Sequence, residues 1–182
     1  MHGTMKALSV ILLAAIALFL ISAESSSAGD RYDLTAPNGI AFSEIRGFEK
    51  WQVIAPSYRT DKKEVRFILG NQTAVQAFTD GAPEKTPFPD GTIMVKVAHS
   101  EKELSEYPSA FVPDVLQRIE LIMKDSKRFP ETKGWGYARF VYNPKADGFT
   151  AYGKDTSFVQ ECFQCHTLVS GKDYVFTRYA PR

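Results

Sequence analysis

Cys162, Phe163, Gln164, Cys165 and His166 run in the order C-x-x-C-H. This spacing suits covalent haem: each thiol adds across one vinyl group, and the adjacent imidazole reaches the iron as an axial ligand. Three other chemistries use the same residue types. A Cys162–Cys165 disulfide would leave His166 incidental. A structural zinc site needs four donors, and beyond these residues the chain offers only His99 and His2. A thioredoxin-like pair belongs to a βαβ setting, which the surrounding sequence lacks. Covalent haem c is the best fit, with His166 as the iron ligand. Only sixteen residues follow His166, and none is Met or His. A sixth ligand must therefore come from upstream or be absent. Met94 and Met123 are candidates for an electron carrier, but apolar residues on strands more often fill a core. His99 reads as a surface histidine.

The elements that must hold the motif are mixed. Phe42, Ile45, Phe48 and Trp51 recur at helical spacing, so 42–51 is expected to be a short amphipathic helix. Residues 52–58 and 64–69 read as extended. Gly70-Asn71 turns the chain into a short helix over 73–78, followed by a Gly/Pro-rich loop over 80–91. Residues 92–99 predict a strand, with Ile93, Val95 and Val97 on one face and Thr92, Met94, Lys96 and Ala98 on the other. Strands are also expected over 116–124, 136–142 and 175–179, and a helix over 156–165 with Thr156 as its N-cap. Strands outnumber helices without βαβ alternation. The expected class is therefore α+β: a mainly antiparallel sheet with flanking short helices and the C-x-x-C-H motif on a C-terminal helix. Phe67, Phe78, Phe88, Trp135, Tyr137 and Phe140 are expected in the core or packed on the haem.

The first 28 residues read as an address. Lys6 precedes an apolar run from Ala7 to Ala23, and a Ser/Ala-rich stretch follows to Ala28. That is a secretory signal peptide, with small residues for cleavage after Ala23 or Ala28. The expected location is the periplasm, where c-type haem is attached. Met5 is a second plausible start. Residues 29–182 then form one haem domain, long enough for a single core. With 22 basic and 21 acidic residues the net charge is +1, which argues against nucleic acid as a partner.

Several segments together carry a family resemblance. They are Tyr58-Arg59-Thr60-Asp61, Val65 to Asn71, Phe88 to Thr92, Met123 to Phe129, Gly134-Trp135-Gly136 and the terminal motif. In this order and spacing, from about Trp51 to the end, the chain resembles the cytochrome P-460 family, which includes the cytochromes c′-beta. The resemblance implies an antiparallel sheet with flanking helices, a homodimer and a five-coordinate c-type haem. It also implies oxidation of hydroxylamine, with nitric oxide chemistry, electrons passing to a partner cytochrome and a lysine linked to the haem ring. Lys96 is the matching lysine. To act as a nucleophile it must be neutral, and burial beside a haem favours the neutral form. Oxidising hydroxylamine also removes protons, so a distal carboxylate would serve as base or relay. Glu120 is the candidate, although Arg118 and Lys124 share its strand face and also suit a solvated surface. Arg66 is the second distal candidate, because a guanidinium holds an anion or water; its alternative is a surface salt bridge with Glu64 or a neighbour. The competing function is a nitric oxide-binding cytochrome c′-beta without the linkage.

Overall fold

The computed structural model describes residues 30–179; the expected signal peptide lies outside them. Six strands make one antiparallel meander: β1 (Gln52–Arg59), β2 (Glu64–Gly70), β3 (Ile93–Leu104), β4 (Tyr107–Lys124), β5 (Trp135–Asn143) and β6 (Gly148–Ala151). Two α-helices flank it, α1 (Gln72–Asp80) and α2 (Phe158–His166). This is the expected α+β class.

Alternation along the strands gives the sheet two covered faces. Leu69, Val95, Ile119, Leu121, Met123 and Phe140 point to one side, under Ile40, Phe42, Ile45 and Phe48 of the N-terminal segment. Ile54, Ile68, Met94, Trp135 and Tyr137 serve the other side, against Ala74, Ala77 and Phe78 of α1, Phe88 and Val175. Phe42 is fully buried and its ring lies 4.7 Å from that of Phe140 and 5.5 Å from that of Phe149. Phe42→Ala is expected to cost about 3–5 kcal/mol of stability, through lost transfer and a cavity. Denaturant unfolding checks it, and an unchanged midpoint would contradict the packing.

Asn71 ties α1 to the sheet. Its Oδ1 caps the helix by accepting from Ala74 N and also accepts from Ile93 N, while its Nδ2 donates to Gly91 O. A Cβ on Gly136 would collide with the Phe129 ring, so only glycine lets that ring close over the start of β5.

Four expectations are corrected. The segment over 42–51 is two short 3-10 turns, Phe42–Ile45 and Phe48–Lys50, because Gly47 between them sits at φ 80°. β3 and β4 run past the predicted ends as a long two-stranded ribbon; beyond His99 the residues lack the alternation that signals a strand. Residues 175–179 form no strand: they run outside the sheet, though Val175 is buried. Thr156 does not cap α2. Ser157 precedes the helix without a side-chain capping bond, and Asp155 Oδ1 accepts from Ser157 N.

Candidate haem site

Register decides what shares the site. Lys96 in β3 lies opposite Ile68 in β2 and Glu120 in β4, and Glu120 lies opposite Arg139 in β5. Side chains of directly opposed residues share a face, so one row across the sheet presents lysine, carboxylate and guanidinium together. Lys96 Nζ is 2.7 Å from Glu120 Oε2, and Arg139 Nε donates to Glu120 Oε1 at 2.8 Å. Arg118 Nε reaches Glu120 at 3.1 Å while its two terminal nitrogens donate to the two oxygens of buried Glu64.

This row lines a cavity of about 840 Å³. Arg66, Lys96 and Glu120 belong to its wall, and so do Cys162, Cys165 and His166. The six site residues expected from the sequence thus meet around one space. Met94 also lines it. Met123 does not: it is buried on the opposite sheet face, 3.7 Å from an Arg128 nitrogen through its sulfur, so it is removed as a ligand candidate. His99 is half-buried beside Phe67 and lines no part of the cavity.

The motif is held on α2, and both thiols are free. Burial pushes the Cys162 thiol up and so keeps it protonated. Burial pushes His166 down, favouring neutral imidazole. Its Nδ1 lies 2.6 Å from Tyr174 O. A carbonyl only accepts, so Nδ1 carries the hydrogen and Nε2 keeps a lone pair. The ring packs edge-on against Tyr137 and Phe176, with centroids 5.0 and 5.1 Å away.

The opposing groups are charged and confined. Burial alone would push Glu120 up, but Lys96, Arg139 and Arg118 outweigh it and hold the carboxyl at about 2. Burial lowers Lys96 more than Glu120 raises it; its side chain is 31% exposed and lines the cavity. Because Glu120 titrates below its ordinary 4.5, its stabilising contribution is complete above that value. It is lost as pH falls from about 4.5 to about 2, at up to about 1.4 kcal/mol per pH unit. Glu120→Gln is expected to flatten the melting temperature over that window relative to the unsubstituted protein. Parallel curves would refute the pairing.

Arg66 is not the surface partner of Glu64, which Arg118 occupies bidentately. Instead its Nε is buried without a partner, and burial pushes its pKa down. Glu120 is likewise no part of a solvated face: its side chain is 14% exposed. The sequence reading missed Arg139 and the Tyr174 carbonyl. Arg139 is two residues from Tyr137 on a predicted strand, so period two alone placed it on that face; its opposition to Glu120 needed the register. A backbone acceptor carries no side-chain signal at all.

Residues 45–177 match the family description Cytochrome P460. The chain belongs to the cytochrome P460 family. It is therefore a haem cytochrome with an iron centre, of a haem oxidoreductase class. A comparison with curated proteins finds no match. The residues present in this cytochrome fit the cofactor on their own chemistry. Two free thiols and one neutral histidine with an available nitrogen share a cavity wall. The buried hydroxyl of Tyr137 and the Nε of Arg66 have no protein partner, and both residues line that cavity. Among the described residues no cluster of three or more His, Cys, Asp and Glu competes for a metal ion. No helix of the described residues is long and apolar enough to cross a membrane.

Proposed function

We propose that this cytochrome is an exported, periplasmic mono-haem enzyme that oxidises hydroxylamine. Haem c is carried covalently on Cys162 and Cys165, His166 is the proximal ligand, and Lys96 is linked to the macrocycle. The observation that carries this reading is the Lys96–Glu120 pair, 2.7 Å apart in the wall of the cavity that also holds the motif. The homodimer and the acceptor cytochrome follow from the sequence resemblance.

The haem supplies, when bound, an iron that takes electrons from a nitrogen ligand. The chain supplies the rest. His166 offers Nε2, since the Tyr174 carbonyl fixes the hydrogen on Nδ1. Half-buried Arg59 and exposed Lys62 and Arg178 line the cavity too and suit the two propionates. Arg66 directs a guanidinium with an unmet donor at small polar ligands. Glu120 accepts the protons that hydroxylamine must lose. Held at about 2 it is a weak base. Linkage of Lys96 would change that: a nitrogen bonded to the ring no longer carries an ammonium, and the leading stabiliser of the Glu120 anion disappears. Linkage and base strength are thus coupled through one contact.

The same contact supports a second reading. Without linkage Glu120 stays locked by three cations, and the site suits nitric oxide binding without turnover. Intact mass, peptide mapping and spectra of the exported, haem-loaded protein separate the two. A haem peptide containing Lys96 with both cysteines, a strongly red-shifted ferrous Soret band and hydroxylamine-dependent reduction of an acceptor are expected. A free Lys96 with an ordinary c-type spectrum would transfer the assignment to the gas-binding role. Absence of haem would refute both.

A further inference from the structure

The segment after the motif holds a partly buried carboxylate that the chemistry above does not use. Asp173 and Tyr174 are consecutive non-glycine residues with φ of 47° and 64°. The left-handed region costs such residues free energy and persists only where the surroundings impose it. Here they do. Asp173 Oδ1 accepts from Lys124 Nζ at 2.9 Å and from Trp135 Nε1 at 3.3 Å, and its Oδ2 accepts from Phe88 N at 2.9 Å. Lys124 is itself buried. Its Nζ also donates to Lys133 O at 3.1 Å and stands 4.8 Å from the centre of the Trp135 ring, which is fully buried. Three elements therefore grip one carboxylate: the end of β4, the start of β5 and the loop before β3. Beyond it, the Tyr174 ring stacks on Phe163 with centroids 5.4 Å apart, and Val175 is buried in the core. Between these anchors the Tyr174 carbonyl is turned onto His166 Nδ1 at 2.6 Å.

We propose that Asp173 is the positioning residue for the axial histidine. Its clamp by Lys124, Trp135 and the Phe88 amide holds residues 173–174 left-handed, so that the Tyr174 carbonyl fixes the tautomer and ring plane of His166 and thereby tunes the iron's reduction potential. This rests on His166 being the iron ligand. A hydrogen bond from the far ring nitrogen raises the basicity of a ligating imidazole. A more basic ligand favours ferric iron, so the clamp holds the potential down. Lys124 acts at one remove: it pairs with the partly buried carboxylate and offsets the cost of withdrawing it from water.

The test uses three variants of the haem-loaded protein. Asp173→Ala removes the clamp. Asp173→Asn keeps one acceptor and a side chain that tolerates left-handed backbone, but loses the charge. Lys124→Met keeps a buried stem without the ammonium. Redox titration and resonance Raman of the ferrous five-coordinate form are the readouts. The expected result is an upward shift of the midpoint potential and a lower iron–histidine stretching frequency in Asp173→Ala and Lys124→Met, with smaller shifts in Asp173→Asn and one haem per chain throughout. Lower melting temperatures with potential and stretch unchanged in all three would overturn the proposal, leaving a structural role alone. His166→Gly, with and without added imidazole, checks the underlying assignment. An iron–histidine band that persists in His166→Gly without imidazole would overturn the ligand assignment and the proposal with it.

Discussion

The triple variant Cys162→Ser, Cys165→Ser, Lys96→Met is expected to fall from one retained haem per denatured chain to none. Both thiols line the cavity and neither is committed to a disulfide. The Cys162 thiol is kept protonated by burial, the form in which S–H adds across a carbon–carbon double bond with no external electron acceptor. After the substitutions only His166 offers a bond to the cofactor on that wall, and a single neutral imidazole does not survive denaturation. Intact mass under denaturing conditions is the direct measurement. Single cysteine substitutions are expected to retain one thioether each and so to keep haem at reduced yield. If the triple variant still carried haem through denaturation, attachment through these three residues would be wrong.

Glu120→Gln has the second largest effect, a loss of about 10²–10⁴-fold in hydroxylamine turnover if the carboxylate is the proton acceptor. The stability cost is less than three cations around one carboxylate suggest. Arg118 keeps its bidentate bond to Glu64, so only Lys96 and Arg139 lose their partner. Breaking a buried pair by removing one member costs about 3–5 kcal/mol when the remaining charge is trapped. Lys96 is not trapped in that sense. Burial already pushes its pKa down, and loss of the Glu120 carboxylate lowers it further, which favours the neutral amine. The substitution therefore makes Lys96 a better nucleophile while removing the base. The linked Lys96 peptide is expected to persist in Glu120→Gln while turnover collapses. Peptide mapping beside steady-state rates separates the roles; normal turnover in a folded, linked Glu120→Gln would take Glu120 out of the mechanism.

What the sequence revealed follows the range of the interactions. The C-x-x-C-H motif is written in five adjacent residues, so it was visible without a fold. Lys96 and Glu120 were each placed on a strand face by alternation, but their contact depends on the β3–β4 register, set across a hairpin whose turn lies far from both. That is why Glu120 resembled a surface residue beside Arg118 and Lys124: a row of alternating charges looks the same whether it faces water or a cavity. Gly47 shows the converse. A hydrophobic repeat at helical spacing over 42–51 was real, and all but Trp51 of those apolar residues are buried, yet one left-handed residue split the helix. The clamp on His166 was invisible because its last link is a backbone carbonyl in a conformation that neither Asp173 nor Tyr174 prefers.

The order of the strands also has a consequence in time. Every pairing in the sheet joins strands that are neighbours in sequence, so the meander is complete once Ala151 has emerged. The motif, the histidine and the segment that orients it all come afterwards. A chain delivered from its N-terminus and folding as it arrives thus builds the wall with Arg66, Lys96 and Glu120 before its attachment site exists. The segment after Ala151 is then the closing piece: on the proposed attachment, cofactor joined to it would be brought to a surface already assembled, and Asp173 would latch that piece shut.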